Sequence, residues 1–426
     1  MSLVWYVVYS YVVLPVLWVT IHVMALFKRK VRHGLRARRR LFPMLERHIE
    51  HKLETGKRVW FHASSLGEFE QAKPIIAALK ERYPTLRIIV TFFSPSGYEH
   101  SRKYPLADAV SYIPIDTPRN ARRFVRSVNP DCAVIIRYDV WPNHVWELHR
   151  RGIPALIANA TMRATSKRRL PVVRQFHRCV YETFDKILTV SEQDVQAFAL
   201  FRLRHPLIEP IGDTRFDQVA LRCREARKRH LIAPAVLQNK KVIVAGSTWP
   251  DDEEVLLPAF QKLRERVPQL LLILVPHEPT IDHLEELESD LQGQASFIRF
   301  SALNDYSGEH VIIVDSIGVL MALYSYAHVT YIGGGFKQNV HNVLEAAVYG
   351  VPVVYGQRHK NSQEAIALAE RGGGFVVSDG ATLYETLHHL LMNDRLRTRA
   401  GTIAGAFVQE HTGATERFVK HIEQFL

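Results

Sequence analysis

Val59-Trp60-Phe61-His62-Ala63-Ser64-Ser65-Leu66-Gly67-Glu68 reads as an apolar strand, a polar turn and the opening of a helix. The strand is expected to end near Ala63, with Gly67 permitting a tight turn into the helix. That order sets the Glu68 carboxylate at the C-terminal end of a strand, where open α/β sheets hold their ligands. A carboxylate there can take a proton from an acceptor hydroxyl. It can equally do no more than complement the positive end of the helix dipole. Ser64 and Ser65 are helix-cap candidates or substrate ligands, and the segment alone leaves both roles open.

The same alternation continues outward from this segment. Short apolar runs at Val59–Ala63, Ile88–Phe92, Ala109–Ile113, Cys132–Ile136, Ala155–Ala158, Lys186–Val190 and Pro206–Ile211 are expected strands. Amphipathic stretches such as Glu68–Arg82 and Pro118–Val128 lie between them. These are βα units feeding a mostly parallel sheet. The charged run Asp217–Lys241 lacks a strand signal and reads as a linker. A second series follows at Val242–Ala245, Leu270–Val275, Val311–Val314, Val329–Ile332, Pro352–Tyr355 and Phe375–Val377. At 426 residues, two α/β domains are the natural division. They are expected at 49–216 and 242–400, facing each other across a ligand cleft, with 401–426 packing back towards the first.

Upstream, Met1–Phe27 is apolar and uncharged and runs into Lys28, Arg29, Lys30, Arg32, Arg36, Arg38, Arg39 and Arg40. No acid precedes Glu46, and these eight cations leave only +4 of the +12 net charge for everything else. Basicity so localised favours an anionic lipid surface over a nucleic-acid footprint spread across the body. Residues 1–27 are expected to anchor the chain and 28–48 to form a membrane-proximal basic segment. The apolar run is long enough to span a bilayer. Cations after the run place the body on the cytoplasmic side. Tyr6, Tyr9, Tyr11 and Pro15 dilute the run, so a helix lying in the interface is the alternative. The three cysteines, Cys132, Cys179 and Cys223, are scattered, which speaks against a disulfide framework or zinc site. No paired-aspartate metal motif is legible, and no metal is expected.

In the second domain a strand ends in Gly333-Gly334-Gly335, followed by Val340-His341-Asn342-Val343-Leu344-Glu345. Glycines let backbone approach a ligand closely, and a helix expected to start near His341-Asn342 offers free N–H groups to an anion. Glu345, one turn in, can accept hydrogen bonds from ribose hydroxyls. The alternative is a glycine turn chosen for packing. Gly246-Ser247-Thr248-Trp249, Pro276-His277-Glu278 and Asp315-Ser316-Ile317-Gly318 also follow strands of this domain.

These residues resemble a known family. Trp60 through Glu68, Thr91 through Gly97, Trp141-Pro142-Asn143, Ala158-Asn159-Ala160, Gly212 through Asp217, Gly246-Ser247-Thr248 and His341 through Ala347 recur in order. The chain resembles the 3-deoxy-D-manno-octulosonic acid (Kdo) transferases of lipopolysaccharide assembly, in the form found in Bacteroidetes-type bacteria. The resemblance implies a GT-B glycosyltransferase of two Rossmann-like domains. It implies inverting, metal-independent transfer from CMP-Kdo to a lipid A precursor, at the cytoplasmic face of the inner membrane. It assigns Glu68 as general base and Arg215 as a transition-state cation. Ser64, Ser65, Gly67 and Asp139 fall on the acceptor side. Pro276, His277, Ile317, Gly318, Val319, Gly334, Gly335 and His341 through Glu345 fall on the donor side. The anionic membrane is the expected partner and nucleic acid is not. Three departures stand out. Arg137 occupies a position where the family commonly has a glutamate, and Asp139, two residues on, is expected to pair with it on one strand face. His277 follows Pro276 where many relatives carry arginine, and Trp249 replaces a common histidine. Within the same reading, the glycine loop and Glu345 also suit a UDP-sugar transferase or a sugar-nucleotide epimerase. The basic tail alone would suit a non-catalytic lipid- or nucleic-acid-binding protein.

Overall fold

The computed structural model describes every residue but Met1, Arg39, Arg40, Leu53, Glu54, Thr55 and Ala164. Two cations of the expected basic segment, Arg39 and Arg40, therefore lie outside the described residues. The chain divides into two units, Met1–Gln218 with Thr412–Leu426, and Val219–His411.

The first unit is built on seven strands: β1 (Arg58–Ala63), β2 (Arg87–Phe92), β3 (Ala109–Tyr112), β4 (Cys132–Ile136), β5 (Ala155–Ala160), β6 (Lys186–Thr189) and β7 (Leu207–Pro210). They pair in parallel in the order β3-β2-β1-β4-β5-β6-β7. Helices cover both faces, so the strands read as continuous apolar runs rather than alternating ones. Cys132 through Ile136 is buried at every position. The order reverses between β1 and β4, and in open sheets the crevice at that reversal holds the ligand. The Ala414–Glu423 helix belongs to this unit and buries Phe418, Val419 and Ile422 in the core beneath the Leu66–Arg82 helix. Asp217 holds its start, accepting from Gly413 N at 2.6 Å and from Thr415 N at 2.8 Å.

The second unit repeats the plan with β8 (Lys241–Thr248), β9 (Leu270–Pro276), β10 (Phe297–Arg299), β11 (Val311–Ile313), β12 (Val329–Ile332), β13 (Val353–Gly356) and β14 (Gly374–Val377). The parallel order is β10-β11-β9-β8-β12-β13-β14, with its reversal between β8 and β12. β10 has no counterpart in the sequence reading, because three residues at a sheet edge leave too little apolar pattern to register. The run expected as a linker holds two helices, Thr214–Ala226 and Pro234–Leu237, and the unit boundary falls inside the first of them.

The N-terminal apolar segment is one helix, Leu3–Phe27. Its turns widen to π geometry over Tyr9–Val13, immediately before Pro15. A proline ring inside a helix presses on the carbonyl four residues back, and a wider turn relieves that contact.

Candidate functional site

In the first unit the strand-end residues of β1 and β4 meet at the order reversal. Ser65 is the N-cap of the Leu66–Arg82 helix, in extended backbone, and its hydroxyl accepts from Glu68 N at 3.5 Å. Glu68 bends back so that its Oε2 accepts from Ser64 N at 2.5 Å. The carboxylate is only 8% exposed, yet Oε1 has no hydrogen bond to any described residue. Burial raises the carboxyl above its ordinary value, and Asp139 raises it further. The Ser64 amide, His62 and Arg137 pull it down. A base raised towards neutrality is better matched to its work than an ordinary carboxylate.

Gly67 does not make the turn, contrary to the sequence reading. It sits inside the first helical turn without positive φ, and a Cβ there would meet open space. The turn is carried by Ser64 and Ser65, whose polar groups satisfy it. What Gly67 contributes is an uncluttered helix end beside Glu68.

The expected pairing of Arg137 with Asp139 is also corrected. β4 ends at Ile136, and Arg137 turns into the left-handed region at φ 63°, so strand alternation no longer applies. Arg137 lies over the Tyr138 ring instead, with its Nε buried and unpartnered. Asp139 accepts from His62 Nε2 at 3.3 Å and Trp141 Nε1 at 3.2 Å. Burial acts to raise Asp139, but the His62 bond and charge, with bonds from Ser64 and Trp141, hold it below the usual carboxylate range. Because a carboxylate only accepts, His62 carries its proton on Nε2 towards Asp139. His62 Nδ1 meets the Thr91 hydroxyl at 2.9 Å, which also takes the Trp60 indole N–H at 2.8 Å.

Arg215, the expected transition-state cation, pairs with Asp213, its Nη2 2.7 Å from Oδ2. Its neighbours in the motif are structural. Thr214 donates to Gln71 O at 2.7 Å and accepts from the Asn159 amide at 2.6 Å, tying β5 to the Leu66–Arg82 helix.

In the second unit the glycine triplet proves to be a packing requirement. A Cβ on Gly333 would strike the Ser247 carbonyl, one on Gly334 the Asn339 carbonyl, and one on Gly335 the Gly356 backbone. Gly334 also has φ 86°, and its N–H is taken by Asp252 Oδ2 at 2.7 Å. No helix begins at His341. The helix is the single turn Leu344–Ala347, because Asn342 Oδ1 takes the Leu344 amide at 3.2 Å and starts the turn there. Val343 and Leu344 are buried, so their side chains serve the core. Glu345 is engaged by Arg222 at 2.7 Å. Pro276 closes β9 and is buried, while Ile317 and Gly318 are exposed on the loop after β11 and Val319 turns inward.

The strand ends do bring three rings together. His277 stacks on Trp249 and on His341, with centroids 4.8 and 4.4 Å away. Trp249 and His341 lie nearly coplanar, and Trp249 Nε1–H donates to His341 Nε2 at 2.8 Å. An indole only donates, so His341 Nε2 must accept and its proton sits on Nδ1. Burial, with some help from His277, holds His341 down at about 4.

Comparison with known proteins places this geometry. Residues 34–218 match the family model described as 3-Deoxy-D-manno-octulosonic-acid transferase (kdotransferase). The 3-deoxy-D-manno-octulosonic acid transferase of Haemophilus influenzae is 28% identical over 379 residues, covering 86% of this chain and 87% of the relative. Those of Rickettsia felis and Aquifex aeolicus are each 27% identical, over 86% and 78% of this chain and 79% and 86% of the relatives. The chain is similar to the Kdo transferases over most of its length. Among solved structures, UDP-GlcNAc 2-epimerase from Neisseria meningitidis superposes with a TM-score of 0.61 at 15% identity, covering 86% of this chain and all of that one. Acinetobacter baumannii MurG gives 0.54 at 15% identity, over 87% of this chain and all of that one. These likenesses show the fold, two Rossmann-like units of the GT-B class.

Two site-organising acids escaped the sequence reading. Asp252 accepts from the Tyr331 hydroxyl at 2.7 Å and from the amides of Trp249 and Gly334, joining the ends of β8 and β12. Glu253 accepts from the Thr248 hydroxyl at 2.6 Å and meets His283 at 2.7 Å. Both lie in an acid-rich helix start, Asp251-Asp252-Glu253-Glu254, where the sequence gives no sign of which acids turn inward.

Trp249→Phe keeps a ring for stacking and removes the donor that ties up His341 Nε2. The expected result is a rise of the His341 pKa from about 4 towards its ordinary value, read by NMR titration. Loss of one hydrogen bond of about 1 kcal/mol corresponds to a several-fold change in proton affinity. An unchanged titration would show that the indole does not control this imidazole.

Proposed function

We propose that this protein is a membrane-associated glycosyltransferase that moves Kdo from CMP-Kdo to a hydroxyl of a lipid A precursor, with inversion and without a metal. The observation that carries the reading is Glu68, a buried carboxylate with one unengaged oxygen at the order reversal of the first sheet, in a chain similar to Kdo transferases. The acceptor hydroxyl approaches Oε1 across the open space beside Gly67. As the hydroxyl oxygen attacks the anomeric carbon, its proton passes to Glu68 and the bond to the CMP phosphate breaks, releasing CMP. Asp139 and Arg137 set the field in which Glu68 titrates, and Asp139 takes over part of the role of the glutamate that Arg137 replaces.

Strand ends of the second unit supply the donor contacts in this reading. The His277–Trp249–His341 stack offers a flat face and an Nδ1–H donor. Pro276, Ile317-Gly318-Val319, Gly335 and Asn342 are assigned to the same donor side as backbone contributors. The short Leu344–Ala347 turn is not the anion-holding helix the sequence suggested, so phosphate recognition falls to individual N–H groups and side chains. The anchor helix and the exposed cations Lys28, Arg29, Arg32 and Arg36 hold the body at the cytoplasmic face of the inner membrane.

The deciding experiment incubates the purified protein with CMP-Kdo and a tetraacylated lipid A precursor in the presence of a chelator. Mass spectrometry should show the acceptor heavier by one or more Kdo residues, and NMR should show the inverted anomer. Turnover with a UDP-sugar and none with CMP-Kdo would overturn the donor, and dependence on added metal would overturn the metal-free mechanism.

A further inference from the structure

The apolar helix Leu3–Phe27 is long enough to cross a bilayer, yet its first half and the helix that follows it are fastened to the same unit. At its first half, Tyr9 is buried between Trp146 and Phe176, with ring centroids 5.8 and 5.5 Å away. The Tyr9 hydroxyl donates to Asp116 Oδ2 at 2.9 Å, and Ser10 Oγ donates to Asn143 Oδ1 at 3.0 Å. At the other end the chain passes directly into the Arg29–Arg38 helix. Arg38 fixes that helix to the body, donating to Ile113 O at 3.0 Å and Phe93 O at 2.6 Å while lying over the Phe93 and Tyr112 rings.

We infer that this helix lies in one leaflet with both ends on the side of the first unit, and does not cross the bilayer. Twenty-five residues at about 1.5 Å each nearly match a hydrocarbon core of about 30 Å, so crossing would put Leu3 and Phe27 on opposite faces. Residues 5–14 could then keep their seats only if the Pro142–Arg150 and Pro171–Tyr181 helices entered hydrocarbon with them. Those helices expose Arg150 and Arg174, and charge at membrane depth is strongly disfavoured. Otherwise the buried Tyr9–Asp116 and Ser10–Asn143 bonds would have to break. Lying flat costs neither. Tyr9 and Ser10 face the protein, while Val4, Tyr11, Val12, Trp18, Val19 and Phe27 face outward. The exposed cations that follow complement anionic headgroups, which commits the occupant to an anionic leaflet. Arg38, counted among the headgroup cations from the sequence, is instead a strut holding the basic helix to the body.

The inference rests on the membrane reading above, and one experiment separates the two. The full chain is reconstituted into vesicles of phosphatidylethanolamine and phosphatidylglycerol, in a Cys179→Ser background, carrying either Ser2→Cys or Lys103→Cys. Lys103 is exposed on the first unit and marks its side. Flotation is followed by labelling with a membrane-impermeant maleimide, before and after detergent. The expected result is that both variants float and both label to the same extent from the same face. Labelling of the two from opposite faces, or of Ser2→Cys only after detergent, overturns the flat helix and leaves membrane association standing. Failure to float overturns membrane association itself, and the flat helix with it.

Discussion

Glu68→Gln lowers the turnover number of Kdo transfer by about 10²–10⁴-fold, the range a positioned general base contributes. The substitution removes the basic oxygen and little else. The carbonyl oxygen of the new side-chain amide can still accept the Ser64 N–H, and the backbone N–H at position 68 still reaches Ser65 Oγ, so the helix keeps its start. Thermal stability and the affinity for CMP-Kdo should therefore stay near those of the parent, and the loss should fall on the chemical step. The acid limb of the rate profile gives an independent check. The base must be ionised to work, so activity rises as pH climbs through the Glu68 pKa, which burial sets above the ordinary carboxyl value. Asp139 adds to that elevation, so Asp139→Asn should shift the acid limb to lower pH. Arg137 opposes it, so Arg137→Met should shift the limb to higher pH. The same elevation runs against stability. The neutral form is the one the folded state favours, so its stabilising contribution is full below the unfolded carboxyl pKa and is lost as pH rises through the folded value. Normal turnover in Glu68→Gln would leave Glu68 as a helix-start residue, with the base to be sought elsewhere.

The two sheets were legible because strands buried on both faces have to be apolar throughout. β4 and β12 were delimited residue for residue, and the other expected strands differed only at their ends. The candidate acid was legible for a related reason: a strand end followed by a helix start is a local pattern, and Glu68 stands in it. What stayed hidden depends on partners far away in the chain. Gly333 through Gly335 looked like a ligand cradle, yet each is glycine because Ser247, Asn339 or Gly356 backbone passes too close for a side chain. Nothing local announces that crossing. The His341 helix was overestimated because Asn342, a good cap in principle, starts the turn later than the apolar pattern suggested. Arg137 and Asp139 were expected to share a face because alternation was assumed past the end of the strand, and one left-handed residue cancels it. The apolar helix shows the same division. Its length and character came from composition, but its seat on the body depends on Tyr9 meeting Asp116, which is 107 positions away.

That meeting supports the second large effect, on stability rather than rate. Asp116 is completely buried and acts as the acceptor for four groups. Oδ2 takes the Tyr9 hydroxyl at 2.9 Å and Asn143 N at 3.0 Å. Oδ1 takes His144 N at 3.0 Å and His144 Nδ1 at 2.5 Å. Its backbone carbonyl takes Asn143 Nδ2 at 2.6 Å, which turns the Asn143 Oδ1 towards Ser10. One carboxylate thus fixes the start of the Pro142–Arg150 helix by taking the amides of Asn143 and His144, the latter shared with Trp141 O at 3.1 Å. It also anchors the apolar helix. Asp116→Ala strands the Asn143 N–H, a phenol and an imidazole nitrogen in the interior, and leaves the His144 N–H only its 3.1 Å bond to Trp141 O. Each stranded group costs about 1–3 kcal/mol, so even partial relaxation leaves a loss of roughly 3–6 kcal/mol. Against a total of about 5–15 kcal/mol for a native domain, that is a large fraction of the stability of the first unit. Calorimetry should show the transition of the first unit falling by roughly 6–24 °C, at about 2–4 °C per kcal/mol for a unit of this size, while that of the second unit holds. Hydrogen exchange would report the same event locally, as lost protection at the amides of Asn143 and His144. Asp116→Asn retains one acceptor oxygen and presents N–H groups to the others, so it should fall between parent and alanine. A variant that melts with the parent and keeps both amides protected would show that these four donors find other acceptors, and that the apolar helix is held by its aromatic contacts alone.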